Sequence, residues 1–245
     1  MIVRLPILFF VMMMSLSCVH DVYGSYECSP KRLENNKKEL IVSVHGFGRD
    51  ESTMDSLSEY FHCKGYTSKV VGYDTFSMGL KEIETQLFTR IDQLKTPQFK
   101  KVHFVGHSFG GLLVRSYLKE KPLKNLGRVI NIGSPSKGTP VVDRYKDKWW
   151  FNCLVPAALS MSSKGSKFLE KIKNPDYPLG IIAGTMEMGR SMIKGESDGL
   201  VPLESTKVEG MSDFIKVKSH HGMLRYNDLV AEQAVTFIRH GKFLK

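Results

Sequence analysis

The chain has 245 residues, of which 42% are hydrophobic and 24% charged, with a formal net charge of +10. That length suits one large α/β domain with its own core, and the ordinary apolar content excludes a disordered or fibrous chain. No repeat, low-complexity tract or nucleic-acid-binding module is present; because the lysines are spread along the chain, the basic charge reads as a solvated face or as attraction to anionic lipid or cell-wall surfaces.

Residues 1–24 read as an export signal. A short basic start through Arg4 precedes an apolar run over 5–16 that contains Phe9, Phe10 and Val11. A polar segment then ends in Val22-Tyr23-Gly24 before Ser25. The run is shorter than the ~20 residues a spanning helix wants. The expected destination is periplasmic or secreted. The alternatives are an uncleaved anchor, or a lipoprotein attached through Cys18 in Ser15-Leu16-Ser17-Cys18. Cleavage leaves Cys28, Cys63 and Cys153, an odd number, so at least one is unpaired in a monomer. A Cys28–Cys63 bridge would tie the mature N-terminus to the first helix, but so few cysteines in a chain this size predict three ordinary thiols. No C-x-x-C or zinc spacing occurs, and no metal is expected.

Residues 25–245 read as one domain. Leu40-Ile41-Val42-Ser43-Val44 predicts a buried strand, followed by His45-Gly46-Phe47-Gly48. Ser52 is the expected cap of a helix whose Met54, Leu57 and Phe61 share a face and which ends near Gly65. A strand over 69–73 and a helix over 80–94 follow. Val102-His103-Phe104-Val105 predicts a strand running into Gly106-His107-Ser108-Phe109-Gly110-Gly111, then a helix to 120. The strand over 129–132 precedes Gly133-Ser134-Pro135-Ser136-Lys137-Gly138-Thr139. Between 143 and 173, Trp149-Trp150-Phe151 and Leu154-Val155 sit among Lys146, Lys148, Lys164 and Lys167, an amphipathic stretch and the most distinctive of the chain. Strands over 180–183 and 214–217 lead into loops holding Asp198-Gly199 and Ser219-His220-His221-Gly222. A helix over 229–240, with Val230, Ala234 and Ile238 on one face, closes the chain. Strands separated by helices imply a mostly parallel sheet covered on both faces by right-handed crossovers. Each motif falls at the carboxyl end of a strand, where such sheets bind ligands.

Strand, G-x-S-x-G and helix in that order form a nucleophile elbow, a tight turn that lifts the Ser108 hydroxyl above the sheet edge. Serine is a weak nucleophile, so it needs a base in reach and an acid to orient that base. The order Ser, acid, His then selects Asp198, with Glu187, Glu196 and Asp143 as rivals, and His220 or His221. His62 and His240 sit on helix ends, His103 lies within a strand, and His45 and His107 read as supporting residues. The oxyanion of an acyl-transfer intermediate needs two N–H donors. The residue after the nucleophile supplies one, from Phe109, and the loop after the first strand the other, from Phe47.

Together these motifs resemble the bacterial lipase and esterase branch of the α/β-hydrolases, the small exported triacylglycerol-lipase-like members in particular. The resemblance spans about residues 39–243. It rests on His45-Gly46, Gly106-His107-Ser108-Phe109-Gly110-Gly111, Gly133-Ser134-Pro135 with Gly138-Thr139, Asp198-Gly199, and the C-terminal stretch through Gly241. It implies an α/β-hydrolase fold with a cap or lid insertion, a catalytic base at His220, and cleavage of carboxylic esters through an acyl-enzyme with no cofactor. The partner would be a small-molecule ester or lipid. The same triad could serve a thioesterase, phospholipase or acyltransferase, and the fold could serve a non-catalytic binding protein. The cap is expected either to meet acyl chains or a lipid surface, or simply to pack on the core.

Overall fold

Alternation along the short apolar runs decides the layers. The computed structural model describes residues 38–172, 174–187 and 193–245. The expected signal over 1–24, Cys18 and Cys28 lie outside the described residues. Six strands form one sheet: β1 (Glu39–Val44), β2 (Thr67–Val71), β3 (Lys101–His107), β4 (Leu126–Ile132), β5 (Leu179–Gly184) and β6 (Asp213–Val217). Their order is β2-β1-β3-β4-β5-β6 and every neighbouring pair is parallel.

Parallel neighbours need crossovers, and helices supply them. Helices α1 (Asp55–Cys63), α2 (Leu80–Gln93) and α3 (Phe109–Glu120) follow β1, β2 and β3. After β4 come α4 (Pro140–Tyr145), α5 (Trp149–Leu154), a 3-10 turn over Pro156–Met161, and α6 (Lys167–Lys171). Helix α7 (Leu203–Thr206) follows β5, and α8 (Asp228–His240) ends the chain. Leu40, Val42, Val44, Val102 and Phe104 face one core, with Ile83, Leu87 and Ile91 of α2 and Leu112 and Leu113 of α3. Ile41, Val105, Ile130, Ile132 and Ile182 face the other, with Leu57 and Phe61 of α1 and Val230, Ala234 and Phe237 of α8. Central strands buried on both faces must be apolar almost throughout, which is why these runs scarcely alternate in polarity.

Local chemistry sets the ends. Asn227 caps α8, its side chain accepting from Leu229 N and Val230 N, and Gly241 ends it in the left-handed conformation at φ 73. The cap expected at Ser52 belongs to Asp50, whose carboxylate accepts from Ser52 N at 2.9 Å. A 3-10 turn over Glu51–Met54 then leads into α1. Ser52 lies inside that turn, so its backbone amide is one of the donors needing a cap. Cys63 is disulfide-bonded, which corrects the expectation of three thiols. Cys153 is free, so the partner of Cys63 lies outside the described residues.

The cap segment packs more than it overhangs. Phe151, Val155, Ala157, Ala158 and Phe168 are buried in the core shared with α3. Trp149, by contrast, is 71% exposed. No helix among the described residues is long and apolar enough to cross a membrane.

The strand order reverses direction between β1 and β3. From β1 the chain crosses to β2 at the edge, then returns through α2 to β3 on the other side of β1. The loops after β1 and β3 therefore part from each other and open a crevice at the carboxyl edge of the sheet.

Candidate active site

Ser108 stands where β3 turns into α3, at φ 55 and ψ −123. A non-glycine residue at positive φ stores strain of order 1–3 kcal/mol and persists only where its surroundings impose it. Three glycines show how they do. A Cβ on Gly106 would lie 2.3 Å from the Gly111 Cα, one on Gly110 2.3 Å from the His45 carbonyl oxygen, and one on Gly111 2.2 Å from Ser134 Oγ. The first turn of α3 thus presses directly on the ends of β1 and β4. Ser108 N donates to the Ile132 carbonyl at 2.8 Å, which locks the turn to β4.

Asp198 comes from the loop after β5 and His221 from the loop after β6. Asp198 is almost fully buried. Its Oδ1 accepts from Leu200 N at 3.0 Å and Val201 N at 2.8 Å, and its Oδ2 accepts from His221 Nδ1 at 2.7 Å. A carboxylate only accepts, so Nδ1 carries the proton, and Nε2 of a neutral ring accepts from the Ser108 hydroxyl at 2.9 Å. Gly133 and Gly184 leave room for this contact: a Cβ on Gly133 would meet Asp198 Oδ2 at 3.2 Å, and one on Gly184 the Asp198 Cβ at 2.7 Å.

The histidine expected in this position was His220, and the structure corrects that. His220 Nδ1 donates to the Met186 carbonyl at 2.8 Å and does not meet Ser108. His220 is extended, at φ −74 and ψ 155, and His221 begins the 3-10 turn over His221–Tyr226. Neighbouring side chains across that junction point apart, and the His221 amide donates to the Asp198 carbonyl at 2.9 Å, which seats His221 against the acid. The rival acids are engaged elsewhere. Asp143 accepts from Ser162 and Ser163 in the cap, Glu196 pairs with Lys216, and Glu187 accepts from Ser197.

Phe109 opens α3, so its N–H is among the first-turn donors that lack an intrahelical acceptor, at the end of the helix that favours negative charge. Phe47 follows Gly46, where a Cβ would sit 3.0 Å from the Ser108 Cβ, so this loop runs alongside the serine. The Phe47 and Phe109 rings meet edge to face at 5.5 Å. His45 anchors the loop: its Nε2 accepts from Tyr73 N at 3.1 Å, and its carbonyl accepts from the Tyr73 hydroxyl at 2.8 Å. Burial lowers the pKa of His45 and keeps it neutral for that role. Burial, then the neighbouring His221 and Arg225, lower that of His107 well below the ordinary value. Neutral His107 donates from Nε2 to the His221 carbonyl at 3.0 Å, bracing the backbone that carries the His221 ring.

A pocket of about 150 Å³ opens onto Ser108 and His221. Val142, with Tyr145, Phe151 and Met161 of the cap, gives it an apolar wall, and Arg49 and Arg225 also line it. Thr139 knits the cap to the acid loop, its hydroxyl donating to the Leu200 carbonyl at 2.6 Å. Neither arginine was singled out in the sequence, where nothing separates them from surface charges. Among the described residues no group of three or more His, Cys, Asp or Glu is placed to hold a metal ion.

The family model described as palmitoyl protein thioesterase matches residues 40–177. No curated protein matches the chain. Among solved structures, the mature form of Bacillus licheniformis lipase BlEst2 superposes with a TM-score of 0.69 at 18% identity, covering 87% of this chain and 96% of that one. Est1E from Butyrivibrio proteoclasticus gives 0.62 at 16% identity, covering 85% and 90%. A lipase-esterase related protein from Clostridium acetobutylicum gives 0.59 at 17% identity, covering 83% and 96%.

Proposed function

This chain belongs to the palmitoyl protein thioesterase family and has the α/β-hydrolase fold, and on that premise we propose that it is a serine hydrolase that cleaves carboxylic esters through an acyl-enzyme. The observation that carries the reading is the unbroken hydrogen-bonded series from Ser108 through His221 to Asp198. Ser108 Oγ attacks the ester carbonyl as His221 Nε2 takes its proton. Asp198 holds Nδ1–H and stabilises the imidazolium. The Phe47 and Phe109 amides receive the oxyanion. His221 then protonates the leaving alcohol, and water repeats the cycle on the acyl-serine. The apolar wall under the cap takes the acyl chain.

A thioester substrate is the second reading, favoured by the family match. The same residues would expel a thiol in place of an alcohol. Action outside the cytoplasm is part of the proposal. The disulfide at Cys63 supports it, since such bonds persist in oxidising compartments.

The test is hydrolysis of a chain-length series of nitrophenyl esters and matched acyl thioesters, run beside Ser108→Ala. Turnover that vanishes in the variant supports the reading, and the better of the two series assigns the leaving group. Equal slow background from both proteins, with no labelling of Ser108 by a fluorophosphonate, would leave a binding protein on a hydrolase fold.

A further inference from the structure

Arg225 is only 2% exposed, yet its Nε and Nη1 have no hydrogen-bond partner among the described residues. Its guanidinium carbon lies 4.6 Å from the centre of the Tyr226 ring, and a Cβ on Gly222 would sit 3.8 Å from Nη1. Arg225 therefore lies stacked in the 3-10 turn that carries His221, with its fork on the pocket wall beside Gly222. A buried, unpaired guanidinium is costly to a fold and calls for an explanation.

Arg49, from the loop after β1, lines the same pocket. Burial first, then the charge of Arg225, lower the pKa of Arg49, so the two cations face each other's field. Asp50 and Tyr226 act in the opposite sense on Arg49. Among the described residues no Asp or Glu lines the pocket, and Asp198 is spent through both oxygens behind His221. The two walls also come from opposite sides of the sheet. Val142, Phe151 and Met161 belong to the core that contains α3. Leu224, beside Arg225, belongs to the core that contains α1. Ser108 stands at the sheet edge between them.

Resting on the hydrolase reading above, we propose that Arg225, together with Arg49, is a subsite for a phosphate group on the alcohol side of the substrate, so that the preferred substrate is an acyl ester of a phosphorylated alcohol. The guanidinium fork of Arg225 matches phosphate oxygens in a bidentate geometry, and the charge of Arg49 on the same wall adds to the field that attracts a phosphate monoester. The acyl chain enters under the cap, the carbonyl meets Ser108, and the phosphate settles on the arginines.

The experiment compares hexanoyl glycerol with hexanoyl glycerol 3-phosphate on the full chain, on Arg225→Lys and on Arg225→Met. The expected result is a preference of about tenfold or more in kcat/KM for the phosphorylated ester, carried mainly by KM. Arg225→Lys keeps part of it and Arg225→Met brings the ratio to within about twofold. Equal kcat/KM on both esters, or a preference unchanged in Arg225→Met, overturns the subsite while leaving the hydrolase reading intact. Should neither ester turn over, or Arg225→Met fail to fold, thermal unfolding of the Ser108→Ala protein with inorganic phosphate and with hexyl phosphate decides. A rise in Tm with inorganic phosphate supports a site for the anion alone, and a rise with hexyl phosphate only supports one that also needs the apolar wall. A rise with neither, at millimolar concentration, overturns the proposal.

Discussion

Two adjacent histidines follow β6, and only one of them meets the serine. His221 donates to Asp198 and accepts from Ser108, whereas His220 donates to the Met186 carbonyl. His221→Ala should therefore lower kcat/KM on a nitrophenyl ester by about 10⁴-fold or more, the scale of losing a triad base. His220→Ala should cost no more than about tenfold, through the loosened Met186 contact. Comparable losses in both variants would place the base wrongly. The elbow glycine can be tested through stability as well. Gly106→Ala drives a Cβ to within 2.3 Å of backbone and should cost about 3 kcal/mol or more in urea unfolding. Gly165→Ala, at φ 73 with nothing within 4 Å of the new Cβ, should cost only about 1 kcal/mol.

At the scale of elements, the cap resolves into two roles that its sequence runs together. Trp150 is buried against Tyr145 and Phe151, and Trp149 projects into solvent. Leu154 and Phe76 are also exposed, and the Leu154 carbonyl accepts from Ser77 N at 2.9 Å, so these apolar side chains lie on neighbouring segments. Trp150→Ala should destabilise the fold by about 3 kcal/mol and reduce turnover of all esters alike. Trp149→Ala should leave stability within about 0.5 kcal/mol. We expect it to slow hydrolysis of an emulsified long-chain ester several-fold more than that of a soluble short-chain one. Equal slowing of the two would remove Trp149 from any lipid contact. The strands and long helices were legible because their apolar periodicity is local. The true cap of the first helical segment was not, since Asp50 and Ser52 are both good capping residues and only the backbone turn decides between them.

At the scale of the whole molecule, three buried histidines among the described residues lie outside the Ser108–His221–Asp198 series, and their burial predicts a loss of stability in acid. Burial is the largest influence on His103, whose pKa falls from 6.5 to about 4, with the Glu39 carboxylate opposing it. Nδ1 of His103 accepts from Arg128 N at 2.9 Å, a bond that requires the neutral ring. Above about pH 6.5 both folded and unfolded chains hold this histidine neutral, and its contribution is complete. As pH falls toward 4 the unfolded chain takes up a proton that the folded one refuses, so stability is lost across that window, by about 2–3 kcal/mol at pH 4.5. His45 and His107 shift in the same direction. Urea midpoints measured at pH 7 and 4.5 should show the fall, and His103→Gln, which cannot ionise, should shrink it. An unchanged fall in that variant would assign the acid sensitivity elsewhere.

The sequence by itself determined the layered parallel architecture, the tight turn at Ser108 and the loops that bring Phe47 and Phe109 beside the serine. Each is written in contiguous residues: a run of apolar side chains long enough to be a strand, or a glycine pattern that admits one kind of turn. The tertiary structure alone decided that His221 takes the place expected of His220, that Cys63 is bridged, and that Arg49 and Arg225 share a pocket. A choice between adjacent side chains depends on which way the backbone leaves β6. A pairing between residues far apart in the chain depends on where two loops come to rest. Neither has a local signature, because both follow from packing on a sheet whose order is set by all its strands at once.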